Sequence, residues 1–145
     1  MALPILLKTE EACVALATSA SIALGYVPET NIFIRAGVDN EDVKAPAILC
    51  SALTATEDFP FSGIFHCSTN ITIKEMAGDM ERENLGGLSE PIFRTFLSDN
   101  IEQLLTQIVS NYYVYQLKVE NTTNENHEDA WSQVFTVDIV SALVA

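Results

Sequence analysis

The chain has 145 residues, 20 acidic against 7 basic side chains, a formal net charge of −13 and an apolar fraction of 48%. That length and apolar content suit one domain with a core and argue against disorder. The acidic excess argues against general binding to a nucleic-acid backbone or an anionic membrane, both of which need clustered Lys and Arg.

Met1 to Leu7 forms a short apolar arm containing Pro4. It either tucks against its own fold or packs on a neighbouring subunit. Leu3-Pro4-Ile5-Leu6-Leu7 is not read as a secretion signal, because no basic segment precedes it and Lys8, Glu10 and Glu11 interrupt the run. No segment reaches the roughly 18 uninterrupted apolar residues of a membrane span. Cys13, Cys50 and Cys67 are odd in number, widely spaced and set among apolar residues, as reduced, buried small hydrophobes would be. A cytosolic setting follows.

Thr9–Leu24 is expected to be helix one, with Thr9 as N-cap, Glu10 and Glu11 at the positive end of the helix dipole, and Gly25 just past the end. Asn31–Ala36 reads as a short strand. Gly37–Ala45 follows as an acidic turn with Asp39, Glu41 and Asp42, and lacks the ligand spacing of a calcium loop. Pro46–Leu53 reads as a buried strand, Thr54–Pro60 as a loop, and Gly63–Glu75 as a longer strand. There Phe65, Cys67, Ile71 and Ile73 share one face and His66, Ser68, Asn70, Thr72 and Lys74 the other.

Residues 76–88 read as a flexible loop carrying Asp79, Glu81, Glu83 and the pair Gly86-Gly87. Ser89–Val109 is expected to be helix two, capped by Ser89, with Phe93, Leu97, Ile101, Leu104 and Ile108 as its apolar stripe. Residues 112–144 form a C-terminal hairpin. Its first arm alternates Tyr113, Tyr115, Leu117 and Val119 with Gln116, Lys118 and Glu120. Its second arm places Trp131, Gln133, Phe135, Val137 and Ile139 on one face and Val134 and Val140 on the other.

The expected fold class is α+β, a mainly antiparallel sheet with two helices packed on it, in the order α-β-β-β-α-β-β. It forms a single domain over 1–145, with an N-terminal arm at 1–8. No nucleophile elbow, phosphate-cradling glycine loop, Cys-x-x-Cys or His-x-x-x-His spacing occurs. No catalytic, cofactor-binding or metal-ligating residue is assigned, and the chain is read as a non-enzyme without a cofactor.

The order of elements, the length and the closing hairpin with Trp131-x-x-x-Phe135-x-Val137 together resemble the tail-terminator and tail-completion proteins of long-tailed bacteriophages. The resemblance covers nearly the whole chain and is one of architecture, so no individual functional residue is carried over. It implies a structural virion protein, assembled in the host cytoplasm, that closes into a ring, usually a hexamer. Such a ring caps the tail tube, docks the head-side neck protein, and passes DNA without binding it specifically. It has no membrane role.

A ring needs unlike patches that fit each other. The candidate interface residues are Leu3, Ile5 and Leu6 in the arm, Asp39, Glu41, Asp42, Asp79, Glu81 and Glu83 in the loops, and Val134, Val140 and Leu143 near the C-terminus. The alternatives are another neck or tail component, such as a head-closure or tube protein, or a small cytosolic ligand-binding domain or enzyme. The last of these would need a pocket around His66 or Tyr112–Tyr115.

Overall fold

Proline has no amide hydrogen to lose in a first helical turn and its fixed φ already suits the helix. Pro4 accordingly opens the first helix, α1, which runs Pro4–Ala23 in the computed structural model. That model describes residues 4–37, 46–76, 88–126 and 130–144. Most of the expected N-terminal arm is therefore helix. Thr9 is not an N-cap: its hydroxyl donates to the Ile5 carbonyl one turn back at 2.8 Å and takes a hydrogen bond from the buried Tyr112 hydroxyl at 2.8 Å. The far end of α1 is closed as expected. Gly25 sits at φ +96°, its amide bonds the Ile22 carbonyl, and the Tyr26 amide bonds the Ser21 carbonyl, the paired bonds of a Schellman cap.

The strands are β1 (Phe33–Ala36), β2 (Ala47–Glu57), β3 (Ile64–Met76), β4 (Tyr112–Asn126) and β5 (Ala130–Leu143), and two further helices are α2 (Ser89–Phe96) and α3 (Ile101–Ile108). They form one sheet in the order β1-β2-β3-β5-β4. Only β1 and β2 run parallel, and the other pairs are antiparallel. The mainly antiparallel α+β class stands, with three helices among the described residues and the order α-β-β-β-α-α-β-β.

The expected second helix breaks at Leu97–Asn100. Ser, Asp and Asn favour helix ends over helix interiors, and here the Ser98 hydroxyl donates to the Thr95 carbonyl at 2.9 Å. The Leu97 and Ser98 amides reach back three residues, to the Arg94 and Thr95 carbonyls, which ends α2. The break resets the phase of the apolar stripe. Ile92 and Phe96 are buried before it and Ile101 and Leu105 after it, while Leu97 and Leu104 face solvent. Ser89 is the first residue of α2, not its cap. The Glu75 carboxylate takes hydrogen bonds from the Leu88 amide at 2.7 Å and the Ser89 hydroxyl at 3.2 Å, placing negative charge at the helix N-terminus.

All three helices cover one face of the sheet. The core joins Ala12, Cys13 and Leu16 of α1, Phe96 and Leu105, and the sheet residues Ile48, Ile71, Ile73, Phe135, Val137 and Ile139. Burying each large apolar side chain contributes roughly 1.5–3 kcal/mol. Phe135 is the centre of an aromatic group, meeting Phe93 edge-on at 5.0 Å and Phe96 at 5.5 Å. Cys13, Cys50 and Cys67 are free and buried, and burial pushes the Cys13 thiol up to about 12, which keeps it a small hydrophobe.

Two register shifts alter expected boundaries. β2 continues through Glu57, so the expected loop at Thr54–Pro60 begins in strand. The shift between Ala52 and Thr54 leaves Leu53 extra, and the Glu10 carboxylate of α1 accepts the Ala52 amide at 3.0 Å. In β4 a shift between Val114 and Gln116 inverts the side-chain alternation. Tyr112 and Val114 are buried, Tyr113 and Tyr115 are exposed, and Leu117 and Val119 return to the core side.

Candidate interaction surface

The sheet face away from the helices is buried at Leu49, Thr72, Lys74 and Ser132 and partly exposed at His66, Asn70, Thr136 and Asp138. The edges are the 4-residue β1 and the 15-residue β4. A strand at an edge carries unpaired backbone donors and acceptors, which another chain can extend. The start of the β4 edge is closed by α3, where the Val114 amide donates to the Thr106 hydroxyl at 2.9 Å. Beside it lies a groove of about 500 Å³ lined by Asp99, Glu102, Gln103, Thr106, Tyr113 and Tyr115. The two tyrosine rings meet edge-on at 4.7 Å and form one wall.

The exposed part of the face away from the helices carries a histidine held between two carboxylates. His66 on β3 donates from Nδ1 to Asp138 of β5 at 2.9 Å and from Nε2 to Asp58 at 3.0 Å. A neutral imidazole has one N–H, so two carboxylate acceptors select the imidazolium. The hydrogen bond to Asp138, then that to Asp58, raises the His66 pKa above its ordinary 6.5 against a smaller opposing effect of burial. Its cross-strand neighbours are Thr56 and Val140, and Lys118 stands opposite Asp138. With both nitrogens on carboxylates, His66 presents no lone pair to a metal. Among the described residues no cluster of His, Cys, Asp and Glu is placed to hold one.

Asp58 belongs to the β2–β3 hairpin, whose tip is Phe59-Pro60-Phe61-Ser62. The Ser62 amide bonds the Phe59 carbonyl at 3.0 Å, Pro60 is the second residue and Phe61 the third, at φ +64°. Those are features of a type II turn, whose third position ordinarily requires glycine or asparagine. Phe61 is 100% exposed. An L residue in this left-handed region costs roughly 1–2 kcal/mol, and here no burial of the ring offsets it. The hairpin is nonetheless firmly held. The Glu57 carboxylate accepts the Phe61 and Gly63 amides at 3.2 Å each, and the Asp58 amide bonds the Ile64 carbonyl at 2.8 Å.

The expected interface residues are not brought to one place. Ile5 is only 3% exposed and lies in the core, and Leu6 packs partly against it, so neither is a free docking residue. Val140 is on the face away from the helices, as expected, but is only 9% exposed beside His66 and Gln116; Val134 is half-buried on the same face. Leu143 is exposed, at 47%. Leu3, Asp39, Glu41, Asp42, Asp79, Glu81 and Glu83 lie outside the described residues.

Sequence reasoning missed the hairpin tip and the Asp58–His66–Asp138 group. A proline between two phenylalanines in a polar loop was the available signal for the first. Nothing in the spacing of residues 58, 66 and 138 signals the second, because it depends on strand register. No helix among the described residues is long and apolar enough to cross a membrane. The chain matches no protein-family model, and a search of the curated proteins returned no significant match.

Proposed function

We propose that the chain is a structural, self-assembling subunit, a ring-forming tail terminator that caps a phage tail tube and joins it to the head-side neck. The observation that carries the reading is the sheet with two unlike edge strands, β1 of 4 residues and β4 of 15. Unlike patches at opposite sides of one subunit support head-to-tail contacts, and such contacts close into rings when the rotation closes. The net charge of −13 suits a channel wall that repels a passing duplex. The test is solution mass by light scattering over a wide concentration range, with negative-stain imaging. Closed particles of a single size support the terminator. Open filaments favour a tube-like component.

A second reading, a small ligand-binding domain, is favoured by the polar groove beside Tyr113 and Tyr115. It predicts a monomer at every concentration and a rise in Tm with a small molecule, lost in Tyr115→Ala.

A further inference from the structure

We propose that the β2–β3 hairpin of one copy inserts Phe61 into an apolar pocket of a second copy, at the N-terminal end of α1. This names a contact within the self-assembly reading and rests on it. The pocket has a volume of about 320 Å³ and is lined by the apolar Pro4, Leu7, Leu143 and Val144 and the polar Lys8, Glu11 and Asn111. A cavity on the order of 150 Å³ already holds a benzene ring. There is room for the Phe61 ring and part of Phe59 or Pro60 behind it.

Three observations support this occupant. First, the tip is built for presentation. Phe61 stands at a backbone position suited to glycine, fully exposed, on a turn fixed by the Glu57 carboxylate and tied to the sheet through Asp58 and His66. A rigid aromatic anchor loses little freedom on binding. Second, the tip does not fill its own pocket, although both lie toward the same end of the sheet, where Ile64 pairs with Ala142 beside Leu143. Any contact between tip and pocket therefore joins two copies, and it joins unlike patches. Third, the charges match. The base of the tip carries Glu57 and Asp58, while the pocket carries Lys8, whose ion pair with Glu11 is long at 3.9 Å. Lys8 gives this pocket one cation to offer an acidic hairpin, beside the Glu11 carboxylate with which it is loosely paired.

The test uses full-length protein in sedimentation velocity, with Phe61→Asn and Leu143→Glu. Asparagine accepts the left-handed conformation, so Phe61→Asn keeps the turn and removes the ring. Leu143→Glu fills the pocket wall with a charge that repels the acidic hairpin, and Lys8→Glu tests the cation independently. Each variant is expected to associate roughly tenfold to a hundredfold more weakly than wild type, the range for losing a buried aromatic anchor. An equimolar mixture of Phe61→Asn and Leu143→Glu retains one intact pocket and one intact tip, and is expected to form one-to-one dimers that neither forms alone. Wild type that assembles while Phe61→Asn assembles equally well, or a mixture that stays monomeric, overturns this contact and leaves the self-assembly reading standing. Wild type that is monomeric throughout overturns both.

Discussion

Phe61 occupies a backbone position that glycine adopts without strain, φ +64° at the third residue of the turn. Replacing it with glycine relieves a conformational cost and removes no buried contact, since the ring is fully exposed. We expect Phe61→Gly to be as stable as wild type or more stable by up to about 1 kcal/mol in chemical denaturation, because the relieved strain is partly offset by glycine's greater unfolded-state freedom. A clear loss of stability would mean that the ring packs within its own subunit. His66 gives a second residue-scale expectation. Its pKa is raised in the folded protein, so its stabilising contribution is fully present below the ordinary value of 6.5 and is lost as pH rises through the raised folded value. The Tm difference between wild type and His66→Gln should therefore shrink as pH increases across that window. A difference that grows with pH would contradict the two-carboxylate arrangement.

Among the elements, β5 is an interior strand, paired on one side with β3 and on the other with β4. Phe135 on it meets Phe93 and Phe96, one turn of α2 apart. Phe135→Ala should cost about 3–5 kcal/mol of unfolding free energy, the range for truncating a fully buried aromatic. A loss well below that would mean that α2 collapses readily onto the sheet. The face assignment of β5 was legible in its sequence, because Phe135, Val137 and Ile139 alternate without interruption. That of β4 was not. The register shift beside Tyr115 moves the core-side positions from even numbers, Tyr112 and Val114, to odd numbers, Leu117 and Val119, and a bulge leaves no mark in apolar alternation. Helix α1 was displaced at its start because Thr9-Glu10-Glu11 imitates a capped N-terminus, while the true start rests on Pro4. The second helix was legible as apolar helix but not as two. Ser98-Asp99-Asn100 was the signal for the break, overridden by a stripe that continued through Leu97 and Leu104. At the surface, Leu143 is the one expected apolar contact among the described residues that is clearly exposed. The hairpin tip depends on a φ value that the letter Phe does not suggest.

For the whole molecule, like charge opposes assembly. Copies carrying −13 each repel at a distance, and the proposed contact is mainly apolar. Added salt screens the repulsion within a Debye length of about 10 Å at 0.1 M and leaves apolar burial intact. Association should therefore strengthen from low to moderate salt when followed by sedimentation. Weakening over that range would point to an interface held by ion pairs. The proposed function and the proposed contact both require the subunit to associate with copies of itself through unlike surfaces. Solution mass by light scattering across concentration tests this most directly. The expected result is a discrete closed oligomer that persists on dilution and appears as rings in negative stain. A single monomer mass at every concentration would contradict it.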